Sequence, residues 1–240
     1  MAEVVYSTGI ELPYAIERGR PNLIRCPVYR SGALVAPGSG VATVYDRAGS
    51  VASTGAVTVV GSVAQYTVPS LAAYAYDDGW RVEWALSMPD GVTHTFPASA
   101  ALVRTAPRPE VTDVSLFRRV SSLDPNGAAP ITSLETYQDY IDESWVEIQR
   151  RLFQAGRRPW LIVDATALRE PHLLLTLALI FEDLATRLNP AYSEQADRYR
   201  AHFSDAWARV SFEYDTDGDG IADGPKKSGR SAGFWFAGRS

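Results

Sequence analysis

The most specific spacing of chemically active residues lies near the C-terminus, in Asp215-Thr-Asp217-Gly-Asp219-Gly220-Ile-Ala-Asp223. Carboxylates at positions 1, 3, 5 and 9, with glycine at position 6, match what a calcium loop supplies. Alternate oxygens converge on one cation, the glycine admits the turn, and the carbonyl of Ile221 adds a ligand. Position 12 departs from the pattern: a bidentate glutamate belongs there, and this chain has Lys226, just after the helix-breaking Gly224-Pro225. Asp215, Asp217, Asp219 and Asp223 are therefore the candidate metal ligands, with calcium as the possible cofactor at affinities near the millimolar end. The competing reading is an acidic, glycine-rich turn that closes a hairpin or is simply solvated.

Elsewhere the chemistry is sparse. There is no nucleophile elbow, P-loop, dinucleotide fingerprint or zincin motif. Cys26 is the only cysteine, which excludes a disulfide framework and a multi-thiolate metal site, and a lone thiol within a strand reads as a small buried hydrophobe. Of the three histidines, His94 alternates within a hairpin strand and His202 lies on an amphipathic helix. His172 follows Pro171 in a first helical turn, where the helix dipole disfavours its charged form. Glu182 and Asp183 are neighbours on a helix and so point about 100° apart, a poor geometry for a catalytic pair. The expectation is that the protein is not an enzyme, with no catalytic residue and no organic cofactor.

Composition narrows the class further. A net charge of −5 and a pI near 5.3 argue against a general nucleic-acid binder. The N-terminus lacks a basic region followed by an apolar core, so a cleaved secretory signal is not expected. The longest apolar run, Leu173–Phe181, is about half of the ~20 residues that cross a bilayer. A soluble protein made in a reducing compartment, with no membrane partner, is the reading.

The elements that must position these residues fall into two halves. Residues 1–107 read as β structure. In Gly79–Met88, Trp80, Val82, Trp84, Leu86 and Met88 alternate with smaller or polar residues, the period of a strand with one buried face. Asp90-Gly91 then turns into Val92–Phe96, a hairpin signal. Shorter strands are expected at Asn22–Tyr29, Gly40–Asp46, Ala56–Val60 and Val63–Val68. About seven strands at spacings near ten residues suggest an immunoglobulin-like β-sandwich or a small barrel. Residues 108–130 read as a linker, introduced by Pro107 and Pro109. Residues 131–212 read as a helical unit, opened by a capping box at Thr132-Ser-Leu-Glu135. Its first helix carries Leu134, Tyr137, Ile141, Trp145, Ile148 and Leu152 on one face and stops at Gly156. A second runs from Pro171 to Leu188 and a third from Ser193 to Val210. Residues 213–240 form an acidic loop and an extended tail. The fold class is thus α+β in two domains, with a C-terminal tail.

Two features point to partners. The second helix is apolar nearly all round, so it must be covered all round. Either the rest of the chain covers it, or a neighbouring subunit packs on Leu173, Leu174, Leu177, Ile180 and Phe181. In the tail, Phe234-Trp235-Phe236 stands among Arg230, Arg239 and a Ser/Gly-rich stretch. Aromatics and arginine dominate interface hot spots, so these five residues read as an anchor that docks into a partner.

Three segments carry a family resemblance: Tyr137–Trp145, Leu168–Leu184 and Tyr199–Asp219. Together with the tail they resemble the head–tail connector, or neck adaptor, proteins of tailed bacteriophages, over about residues 130–240. The resemblance implies a virion structural protein made in the host cytoplasm and located in the virion neck. It implies a homo-oligomeric ring, typically of twelve copies, joining the portal protein to other neck or tail proteins with DNA passing through the lumen. On this analogy Phe234, Trp235 and Phe236 dock on the portal and Leu173–Phe181 help pack the ring. The β domain departs from a helical minimal connector and would be an outward decoration or a contact for other components. Residues 111–206 hold 10 Arg and 14 Asp/Glu, and a carboxylate-lined channel would repel phosphates and let DNA slide. The alternative is a calcium-dependent module whose β-sandwich binds carbohydrate or protein, the acidic loop being similar to dockerin or thrombospondin calcium loops over nine residues. A hydrolase built on the sandwich has no catalytic constellation behind it.

Overall fold

A computed structural model of the chain describes residues 5–215, which divide into a unit ending at Pro107 and another beginning at Arg108. The first is built of strands: Tyr6–Thr8 (β1), Tyr14–Glu17 (β2), Asn22–Cys26 (β3), Val28–Arg30 (β4), Ala33–Leu34 (β5), Ser39–Tyr45 (β6), Val51–Ala56 (β7), Thr58–Val60 (β8), Val63–Val68 (β9), Asp77–Ser87 (β10) and Thr93–Val103 (β11). They form a five-stranded sheet in the order β2-β11-β10-β6-β7 and two three-stranded sheets, β1-β4-β5 and β3-β9-β8. All pairings are antiparallel except β2 with β11, where Tyr14 faces Ala100 and Glu17 faces Val103.

The period-2 pattern decides which face of β10 is inside. Trp80, Val82, Trp84 and Leu86 are buried, with Trp84 opposite Phe96 on β11 and Ala42 on β6. Ile24, Cys26 and Tyr66 of the β3-β9-β8 sheet join the same core. At the Asp90-Gly91 turn the Asp90 carboxylate accepts the Val92 N–H at 3.0 Å and the Gly91 N–H donates to the Met88 carbonyl at 2.9 Å. Gly40 is required by close approach, because a Cβ there would meet the Ala85 carbonyl oxygen at 2.5 Å. The single strand expected over 22–29 is two strands in different sheets. Pro27, which cannot donate to a ladder, separates them.

The second unit has four helices: Asp113–Arg119 (α1), Gln138–Gln154 (α2), Arg169–Arg187 (α3) and Tyr192–Arg209 (α4). Short 3-10 turns stand at Ser121–Leu123, Pro159–Leu161 and Ala165–Leu168. The stretch 108–130 is therefore packed structure rather than a linker, since Leu116 and Leu123 are fully buried. The capping box is not used as expected either. Thr132 Oγ1 accepts the Leu134 N–H at 3.1 Å within a turn, and α2 starts only at Gln138. What opens α2 is a long-range cap: the Asp113 carboxylate of α1 accepts the Tyr137 N–H and the Thr136 hydroxyl, each at 2.8 Å. The helix ends as its sequence demands. Gly156 takes φ +71°, its N–H donates to Phe153 O, and the Arg157 N–H reaches Leu152 O at 2.8 Å. That is the paired hydrogen bonding of a Schellman motif.

After α4 the chain pairs antiparallel with 161–163. Val163 N–H donates to Glu213 O at 3.0 Å and Asp215 N–H to Leu161 O at 2.8 Å. No helix among the described residues is long and apolar enough to cross a membrane.

Candidate functional site

The apolar helix α3 is covered by its own unit. Leu177, Ile180 and Phe181 pack with Val111, Leu116, Leu123, Tyr137, Ile141 and Ala196. Leu174 and Leu175 pack with Trp145, Ile148, Leu152, Phe203 and Phe212. Phe181 stacks on Tyr199 at 5.5 Å between centroids. Leu174, Leu177, Ile180 and Phe181 are each at most 4% exposed, and only Leu173 is half-buried. Of the two covers the sequence left open, the chain's own residues supply that of Leu174, Leu177, Ile180 and Phe181. The missing cover is the 111–130 segment, which brings Leu116 and Leu123 over α3.

Between α2 and α3 runs a buried polar seam of Ser144, His172 and Thr176, all without solvent exposure. The Ser144 and Thr176 hydroxyls meet at 2.7 Å, Ser144 also reaches Ile141 O at 3.0 Å, and Thr176 donates back to His172 O at 2.8 Å. The His172 ring bridges two backbones. Nδ1 accepts the Glu110 N–H at 3.3 Å, which assigns the proton to Nε2, and Nε2 donates to Ile141 O at 3.0 Å. Burial pushes the imidazole below its ordinary value and keeps it neutral, against a smaller opposing effect of the Ile141 bond. Both ring nitrogens are engaged by main chain and the ring stands 5.2 Å from Trp145, so the seam fixes helix packing.

Outside this seam the helices carry ion pairs. Arg200 grips Glu182 through two bonds of 2.6 and 2.8 Å, while Asp183 accepts Tyr140 Oη at 2.7 Å and Arg187 at 3.0 Å. The two adjacent carboxylates serve different helices, α4 and α2, as their angular offset requires. Burial and the Asp183 carboxylate push the Tyr140 phenol up to about 12. Glu147 is held below the usual carboxylate range, because Arg151 and Arg150 outweigh the opposing effect of its burial.

One charged feature is left without partners among the described residues. An open groove of about 520 Å³ lies between α1 and the first turn of α3. Arg118, Arg119 and Arg169 line it, all exposed and without an ion pair or hydrogen bond among the described residues. Ser115 and Thr166 add hydroxyls, Leu173 an apolar patch, and Glu170 the single opposing charge. Sequence reasoning missed it because Arg118-Arg119 fell in the stretch read as a linker. The available signal was a basic pair in the last turn of a short helix, where the dipole favours it.

The remaining expected site residues divide simply. Asp215 is buried, its N–H on Leu161 O. Asp217, Asp219 and Asp223 lie outside the described residues, as do Arg230, Phe234, Trp235, Phe236 and Arg239. Among the described residues no group of three or more His, Cys, Asp or Glu could hold a metal ion. Cys26 is fully buried and burial pushes its thiol up to about 12. His94 pairs with Asp90 at 2.9 Å beside the hairpin turn, and His202 is exposed on α4.

No family model matches the chain, and no curated protein does. Among solved structures, CopC from Methylosinus trichosporium OB3b is similar over 37% of this chain and 83% of its own, at 14% identity and a TM-score of 0.29. A likeness of that size carries no functional argument.

Proposed function

We propose that the protein is a virion structural component, a ring-forming head–tail connector that joins the portal to the tail. The observation that carries the reading is the build of the helical unit. Two long helices, α2 and α4, and the short α1 segment enclose the apolar helix α3, and the chain pairs with 161–163 before an acidic segment and an aromatic tail in the sequence. In this reading that unit is the connector bundle. Phe234, Trp235 and Phe236, with Arg230 and Arg239, are the anchor on the portal. The N-terminal unit is an immunoglobulin-like sandwich that decorates the ring or touches other neck or tail proteins. The ring contact uses surfaces other than the buried face of α3, and the excess of carboxylates over arginines in residues 111–206 favours a lumen through which DNA slides.

Mass measurement and negative-stain imaging of the full chain, alone and mixed with the portal, test the proposal. A closed ring in either preparation supports it. A monomer in both, or portal binding unchanged after removal of residues 230–240, overturns it.

A further inference from the structure

We infer that the arginine groove between α1 and α3 is the receptor for the acidic segment 217–223 of a second copy of this chain, an inference that rests on the ring reading above.

Chemistry and symmetry lead to it. Three guanidiniums without partners among the described residues face an open groove, and Glu170 is the one acidic residue lining it. A guanidinium offers a planar fork of donors that matches a carboxylate, so the groove suits a ligand bearing several carboxylates. The half-buried Leu173 beside them asks for an apolar side chain on the same ligand. The chain itself carries such a segment: Asp217, Asp219 and Asp223 surround Ile221. A peptide ligand fits the mixture of charge and apolar surface better than a phosphodiester backbone, which would leave Leu173 uncovered.

The ring reading argues for a second copy rather than the same one. Glu213, Tyr214 and Asp215 pair antiparallel with Val163, Ile162 and Leu161 respectively. A contact between a groove on one copy and a segment of the next is heterologous, the type that closes into a ring when the rotation closes. Such a contact uses only the first turn of α3, Arg169 and Leu173, and leaves Leu174, Leu177, Ile180 and Phe181 buried in their own unit.

Two measurements on the full-length chain test this. The first titrates it with a fluorescent peptide of residues 215–223 at low salt. The second measures its mass. Binding of the peptide is expected to weaken at least tenfold in the triple variant Arg118→Glu/Arg119→Glu/Arg169→Glu. These side chains are exposed and the variant's circular dichroism spectrum should match the parent's. The ring should be lost in that variant and in Asp217→Lys/Asp219→Lys/Asp223→Lys, and return in the chain carrying both sets. Equal peptide binding by parent and triple-glutamate chains overturns the inference, as does a ring that survives both single-sided variants. The latter outcome leaves the ring reading standing. A parent chain that never forms a ring, alone or with the portal, removes the ring reading instead. Arginine-dependent peptide binding in that same preparation would still support recognition of the segment by the groove.

Discussion

His172 is the residue at which the unit's stability should follow pH. In the folded chain burial holds its pKa below the ordinary ~6.5, while in the unfolded chain it titrates normally. The unfolded state therefore binds more protons as pH falls through about 6.5, and its contribution to stability is lost on the acid side. Thermal unfolding across pH 5 to 8 should show this loss in the parent chain, and His172→Phe should lack that component. The substitution also leaves the Glu110 N–H and the Ile141 carbonyl without their side-chain partner. It should cost about 1–3 kcal/mol at neutral pH. The neighbouring hydroxyls supply a second test. Ser144→Ala or Thr176→Val alone strands half of a buried pair, whereas the double variant removes both halves. The double variant should be milder than the sum of the singles by about 0.5 kcal/mol or more in chemical denaturation. Costs that simply add would show that the two hydroxyls are independent. None of this pairing was visible in the sequence, where Ser144, His172 and Thr176 stand as unrelated polar residues on two helical patterns.

At the scale of elements, periodicity located what local chemistry governs and missed what distant chemistry governs. The alternation through Trp80–Met88 and the Asp90-Gly91 turn specify β10, β11 and their inner face. Gly156 specifies the stop of α2 because only a left-handed residue completes the Schellman hydrogen bonds. By contrast, α2 begins where Asp113, 24 positions earlier, accepts the Tyr137 N–H, and no motif near Thr132 could reveal that. The parallel pairing of β2 with β11 joins residues 86 positions apart, Tyr14 with Ala100, and equally leaves no local signature. The cover of α3 was the other open point, and it follows from Leu116 and Leu123 in a stretch whose two short helical pieces are too brief for periodicity to register. Because that cover is intrachain, Leu177→Ala should cost roughly 2–5 kcal/mol. The melting temperature of the variant should shift equally at low and high protein concentration. A shift that shrinks on dilution would mean that a second copy shares the contact. Asp113→Ala should lower stability by about 1–2 kcal/mol through loss of the α2 cap.

For the whole molecule, the division at Pro107 has a direct consequence. The buried residues of one hydrophobic cluster lie within 16–102 and those of two others within 111–212. Each unit owns a core, so each has what independent folding requires. A fragment of residues 1–107 should unfold cooperatively in denaturant, with Trp80 and Trp84 fluorescence reporting the transition. A fragment of 108–240 should do likewise, and a non-cooperative transition in either would mean that its core is incomplete. Charge is distributed as unevenly as structure. Residues 1–110 hold 8 basic and 9 acidic groups, residues 111–206 hold the surplus of acid, and the only two lysines are Lys226 and Lys227. Within the acidic helical unit the three arginines of the groove, unpaired among the described residues, are therefore a local inversion of sign.

The sealing of α3 also bears on timing. A chain that had to borrow a neighbour's surface to hide its most apolar helix would fold only on encounter, and before that would be exposed to aggregation and proteolysis. Here Leu116, Leu123 and α4 close over the helix from within the same chain. Each copy can finish folding on its own and accumulate as a finished part. If the proposed groove contact is what joins copies, charge on the surface sets when they join, and salt weakens it without unfolding either unit.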